Sequence, residues 1–176
     1  NYEYTNMKNE NEKFKELIAK IEKMKKSGEI DLSTEEDLSM AVMNLISLEE
    51  HFFFTGAKTE DGSYYDLSGE VRKMRTKLME GLVEKHEGET WCATKHLLSA
   101  SMRLIEVGNR YLADKDRTKA ETFFSDAYRL YSIFWALKTK LVSVATVAKT
   151  GKEADAKGWS LDTLVAKLAD CCDESR

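Results

Sequence analysis

The chain has no proline, and only nine glycines are spread through its 176 residues. Tight turns of the kind that stitch antiparallel sheets together are therefore scarce, and long uninterrupted helices are the expected outcome. Cysteine is also sparse: three occur, two of them adjacent at Cys171 and Cys172. Neighbouring cysteines close only a strained ring, which excludes a disulfide framework and predicts a reducing, cytoplasmic setting. Apolar patches such as Phe52-Phe53-Phe54 are far shorter than the roughly 20 residues of a spanning helix, so no membrane partner is expected. The first residues mix charges where a secretory leader would carry a basic stub and an apolar stretch. No sign of charge dominates either. The 27 Lys and Arg against 31 Asp and Glu leave a net charge of -4, which supplies no global field for nucleic acid. Gly-rich phosphate loops, nucleophile elbows and zinc-protease histidine pairs are missing from the sequence as well.

What remains is ordinary globular composition, 42% apolar and 33% charged, at a length suited to one helical domain over residues 1–176. Helices are expected over about 6–27, 34–55, 65–85, 89–113, 117–148 and 160–172. Phe14, Leu17, Ile18, Ile21 and Met24 recur at three and four in the first, and Gly28 stops it. Ser33 and Glu36 read as a capping box for the second. Its stripe of Leu38, Val42, Leu45, Leu48 and Phe52, widened by Met40, Met43, Ile46 and Phe53, marks a helix buried over most of its girth. Val71, Met74, Leu78 and Leu82 carry the third, and Trp91, Leu97, Leu98, Met102 and Ile105 the fourth. Phe123, Ala127, Leu130, Phe134, Leu137 and Leu141 carry the fifth, and Ser160 with Trp159 and Leu164 caps the last. Short links make consecutive helices antiparallel neighbours. The fold class expected is all-α, an antiparallel four-helix bundle core with additional short N- and C-terminal helices.

Residues 104–127 read Leu104-x2-Val107-Gly108-x2-Tyr111 and then Ala120-x3-Phe124-x2-Ala127. This spacing resembles one tetratricopeptide repeat, whose small and aromatic positions let two helices cross closely. The resemblance implies a tight helical hairpin at about 101–134 and, in such repeats, a peptide-binding role. Leu104 stands where the family prefers Trp, Val107 where it prefers Leu, and Ser132 where a terminal Pro closes the repeat. Without that Pro the fifth helix is expected to run on as the longest in the chain.

Two groups of side chains stand out. Glu49, flanked by Leu45, Ile46, Phe52 and Phe53, places a carboxylate on an apolar face, which is costly unless it is paired. Ferritin-like di-iron chemistry would need Glu-x-x-His motifs, and none occurs. Residues 31–57 hold six acids and no Lys or Arg, and folding the chain about a turn near residue 60 sets Glu49 level with residues 70–72. An ion pair with Arg72 or Arg75, from the basic run that also includes Lys73 and Lys77, is therefore expected; the run itself is too short to suggest RNA or DNA and reads as a solvated face. The second group is Cys92 and His96, one turn apart on the fourth helix. Counting outward from turns near 115 and 154 brings Cys171 and Cys172 to the same end of the bundle. Cys92, His96, Cys171 and Cys172 then make a candidate metal set whose soft thiolate and imidazole donors suit Zn. The competing reading makes Cys92 a small core residue and His96 a partly exposed one.

Consecutive aromatics at Phe52-Phe53-Phe54, Phe123-Phe124 and Phe134-Trp135 cannot all face inward. Either the terminal helices cover them or they form a patch for a partner. The function expected is a non-enzymatic, cytoplasmic interaction or adaptor protein with a protein partner or a second copy as its target and no cofactor. The alternative is a metal-binding bundle, Zn or Fe, with Cys and His ligands.

Overall fold

The computed structural model describes residues 32–83 and 89–140, together with helical, solvent-exposed positions 16, 19, 20, 22, 23, 26 and 27. Four helices follow in order: α1 (Leu32–Thr59), α2 (Ser63–Glu80), α3 (Glu89–Ala113) and α4 (Arg117–Lys138). The described residues contain no strand. The helices expected over 6–27 and 160–172 lie mostly or wholly outside the described residues, as do the Ser160 cap and Trp159.

Helix boundaries follow local chemistry. At 28 residues, α1 extends past the expected 34–55 at both ends, so Ser33 lies inside the helix instead of capping it. It stops where Glu60 takes a left-handed φ of 55°. Asp61 Oδ1 then accepts the Ser63 N–H at 2.9 Å, opening α2 after a minimal turn. The bonds to Ser63 hold the Asp61 carboxyl below its ordinary value. The end of α2 comes at Glu80, five residues before the expected Lys85. Gly81 N–H closes on Leu78 O at 3.1 Å, and the chain turns so that Leu82 and Val83 enter the core.

Between α3 and α4 the link uses two devices. Lys115, at φ 64°, donates its N–H to Leu112 O at 3.1 Å, and Asp116 N–H reaches back to Tyr111 O at 2.9 Å. Together these bonds form a Schellman closure. Asp116 then accepts Lys119 N–H at 3.1 Å as the N-cap of α4.

One expected boundary is overturned. The fifth sequence helix was to run to 148, but α4 ends at Lys138 after 22 residues, with Thr139 as its C-cap. The backbone at Lys140 is left-handed, φ 55°, and no residue can continue a right-handed helix through that conformation. Among the described helices α1 is the longest, and α4 ends only two turns past Ser132.

The core gathers Val42, Met43 and Ile46 of α1, Met79 of α2, Leu82 and Val83 beyond it, Leu98 of α3, and Tyr131, Phe134 and Trp135 of α4. Burying a side chain of this size is worth roughly 1.5–3 kcal/mol against leaving it exposed. Trp135 and Phe134 are the largest fully buried side chains. Polar ties fix the helices against one another. Ser39 Oγ and Tyr131 Oη share a hydrogen bond of 2.7 Å between α1 and α4, Lys138 pairs with Glu35, and Arg103 of α3 pairs with Glu50 at 3.2 Å while donating to Ser47.

Candidate functional site

Glu49 sits on the flank of α1 that faces α2. Arg72 and Arg75, three residues apart, share one face of α2 and close on it from outside and inside. Arg75 Nε donates to Glu49 Oε1 at 2.6 Å and Arg75 Nη2 to Oε2 at 3.4 Å, while Arg72 Nε donates to Oε2 at 3.0 Å. The two arginines differ in setting. The Arg75 side chain is 8% exposed and also directs Nη1 to Met79 Sδ at 3.5 Å; that of Arg72 is 70% exposed. Burial is the largest single influence on the Glu49 carboxyl and pushes its pKa up. The hydrogen bonds from Arg75 and Arg72, with their charges, together outweigh burial and hold it below the ordinary value of 4.5.

This pair forms part of the wall of a cleft of about 540 Å3. Helix α1 contributes Ile46, Glu49, Glu50 and Phe53; α2 contributes Ser68, Arg72 and Arg75; α3 contributes Lys95, His96 and Ser99. Its volume falls in the range of small-molecule sites, but the lining is mainly polar and charged, with Ile46 and Phe53 as its apolar part. Ser68 Oγ donates to the Glu49 carbonyl oxygen at 3.4 Å. Glu50 is drawn aside by Arg103.

A second feature lies where α1 meets α2. Phe53 and Phe54 are in edge contact with centroids 5.2 Å apart, Phe53 lies 6.4 Å from Tyr65, and Phe52 lies 6.3 Å from Tyr64. Phe53, Phe54 and Tyr65 are 54%, 57% and 47% exposed. Three large aromatic groups are thus held together where α1 meets α2, with much of their surface in water.

The expected residues fare unevenly. Glu49 pairs with both Arg72 and Arg75, where either one was expected. Arg75 itself is buried, which corrects the reading of that run as a solvated face; Lys73 and Lys77 do remain exposed. Cys92 is exposed, which overturns its placement as a small core residue: on α3 the inward positions are taken by Thr94, Leu98 and Ser101. His96 is exposed and lines the cleft. Cys171 and Cys172 lie outside the described residues, and among the described residues no three His, Cys, Asp or Glu side chains gather as metal ligands.

Lys95, Ser99 and Arg103 were not singled out from the sequence. The signal for Ser99 and Arg103 is the polar stripe Cys92, His96, Ser99, Arg103 at spacings of four, three and four, which marks one face of α3, and Lys95 borders it four residues before Ser99. Compared with protein-family models, with curated proteins and with solved structures, the chain matches none.

Proposed function

We propose that this chain is a non-enzymatic interaction or adaptor protein that engages a protein partner, or a second copy of itself, through the aromatic cluster at the α1–α2 end. The observation that carries the reading is the joint exposure of Phe53, Phe54 and Tyr65. Rigid aromatic side chains supply large contact area at low entropic cost and dominate interface hot spots. The architecture proposed with it is an antiparallel four-helix bundle with additional terminal helices, working in the cytoplasm. No described helix is long and apolar enough to cross a membrane. A tetratricopeptide-like hairpin over about 101–134 is supported by the close crossing of α3 and α4 at Gly108, where an added Cβ would meet Phe124 Cε1 at 2.5 Å. The buried small residues Ala120 and Ala127 on α4 fit the same reading.

The test is a photo-crosslinking residue placed at Phe54 in cells, followed by reconstitution of the captured complex from purified parts. Phe53→Ser with Phe54→Ser is expected to weaken that complex about tenfold or more, because each side chain would forfeit a buried aromatic contact. If the partner is a second copy, the same substitutions shift a dimer to monomer in sedimentation. Unchanged binding in the doubly substituted chain would remove the proposal.

A second reading is supported by Cys92 and His96, both exposed and one turn apart on α3. It is a zinc-binding bundle completed by Cys171 and Cys172. It expects about one equivalent of Zn to survive gel filtration, as a closed four-ligand site would retain it, and to be lost from Cys92→Ser or His96→Ala. Protein that emerges metal-free after Zn loading would sink it.

A further inference from the structure

We propose that the cleft between α1, α2 and α3 is a binding site for a small organic phosphate, with the phosphate held by Arg72, Lys95 and His96 and an apolar body resting on Phe53. The charges around the cleft carry the proposal. Three cations, Arg72, Arg75 and Lys95, line it with two carboxylates, Glu49 and Glu50, and Glu50 is paired with Arg103 beside the cleft. The lining therefore carries a surplus of one positive charge on a chain whose net charge is -4, and Arg103 offsets the Glu50 carboxylate. A concave, partly apolar wall concentrates such a field and draws in small anions.

The donors are uncommitted where it matters. Arg72 spends only its Nε on Glu49, which leaves both terminal nitrogens of a planar fork on a side chain that is mostly in solvent. Lys95 and His96 have no hydrogen-bond or ion-pair partner among the described residues, yet both line the cleft with the Ser99 hydroxyl beside them. Arg72 approaches from the α2 wall, and Lys95 and His96 from the α3 wall. Donors converging from two sides suit an oxyanion with three accessible oxygens better than a planar carboxylate. Glu49 does not oppose this. Arg75 neutralises it from within, and that contact also pins the α2 wall in place. Ile46 and Phe53 give the cleft its apolar side, so the occupant is a phosphate monoester carrying a flat apolar group rather than the free ion.

Two-dimensional NMR of the full chain, titrated with inorganic phosphate and separately with phenyl phosphate in the presence of EDTA, tests the site. Saturable shifts are expected at residues 95, 96, 99 and 72, with phenyl phosphate binding at a dissociation constant on the order of 1 mM or tighter and at least severalfold more tightly than inorganic phosphate. Lys95→Glu and Arg72→Gln should each abolish saturation; both side chains lie outside the core, so the variants keep their fold. Lys119→Glu, on α4 and outside the cleft, should leave the titration unchanged. The proposal is overturned by non-saturating shifts, by a response in Lys95→Glu equal to that of the parent, or by an equal loss in Lys119→Glu.

Discussion

Glu49→Ala is expected to destabilise the protein by about 3–5 kcal/mol, the usual consequence of leaving a buried charge without its counterion. The guanidinium of Arg75 is 8% exposed and has two hydrogen bonds to Glu49; its remaining contact is the weak thioether acceptor of Met79. Arg75→Met reverses the geometry and costs less, because the Glu49 carboxylate keeps Arg72 at 3.0 Å. The double substitution Glu49→Leu with Arg75→Met should recover most of the stability lost in Glu49→Ala, since apolar groups of similar volume often replace a buried ion pair at little cost. Urea denaturation of these proteins, with Glu49→Leu alone added to close the cycle, measures this directly. Additive losses would show that the pair does not act as a unit.

The same pair sets an acid dependence. The folded Glu49 pKa lies below 4.5, so in acid the unfolded chain binds the proton first. The contribution is therefore complete above the ordinary value and is lost as pH falls through the depressed folded value. In Glu49→Gln this part of the acid limb should flatten, and an unchanged pH profile would assign acid unfolding to other carboxylates.

This pairing was legible because it depends only on local facts. A carboxylate at Glu49 that needs a counterion, two arginines at i and i+3, and a single turn near residue 60 suffice to bring them level. Helix existence was legible for a similar reason, since the 3.6-residue period survives in α1, α3 and α4. What escaped notice depends on non-consecutive helices. Arg103 meets Glu50 and Ser47 because α3 lies against α1, and no count from a turn connects those positions. The end of α4 escaped because Lys140 adopts φ 55°, a conformation that lysine gives no hint of in sequence. Exposure of Cys92 was legible and was misread: Trp91, Leu97, Leu98 and Met102 share the arc of α3 that packs on the core, and Cys92 lies with His96, Ser99 and Arg103 on the polar arc opposite. The resulting site is a cleft in which three helices meet, whereas the sequence pointed separately to Glu49 on one and His96 on another.

Gly108→Val should be the second large effect, a loss of about 1–3 kcal/mol from overpacking. Helix propensity alone argues the other way, because glycine in a helix interior is the less favourable residue by a few tenths of a kcal/mol or more. Packing decides the sign. A Cβ at position 108 would lie 2.5 Å from Phe124 Cε1 and 2.7 Å from Cδ1, inside any permitted contact. Two branches at Cβ leave α3 no route but to move away from α4, which would also loosen Ala120 and Ala127 in the same contact. Removing the obstacle should restore much of the loss. Phe124→Leu is expected to be mildly destabilising alone, yet less damaging in the Gly108→Val background, giving a coupling of at least about 0.5 kcal/mol in a double-mutant cycle. A Gly108→Val protein as stable as the parent, or strictly additive losses in the cycle, would mean that α3 and α4 do not rely on this close crossing. The tetratricopeptide-like reading of the hairpin would then lose its physical basis, because the small residue at 108 matters to that reading only through the approach it permits.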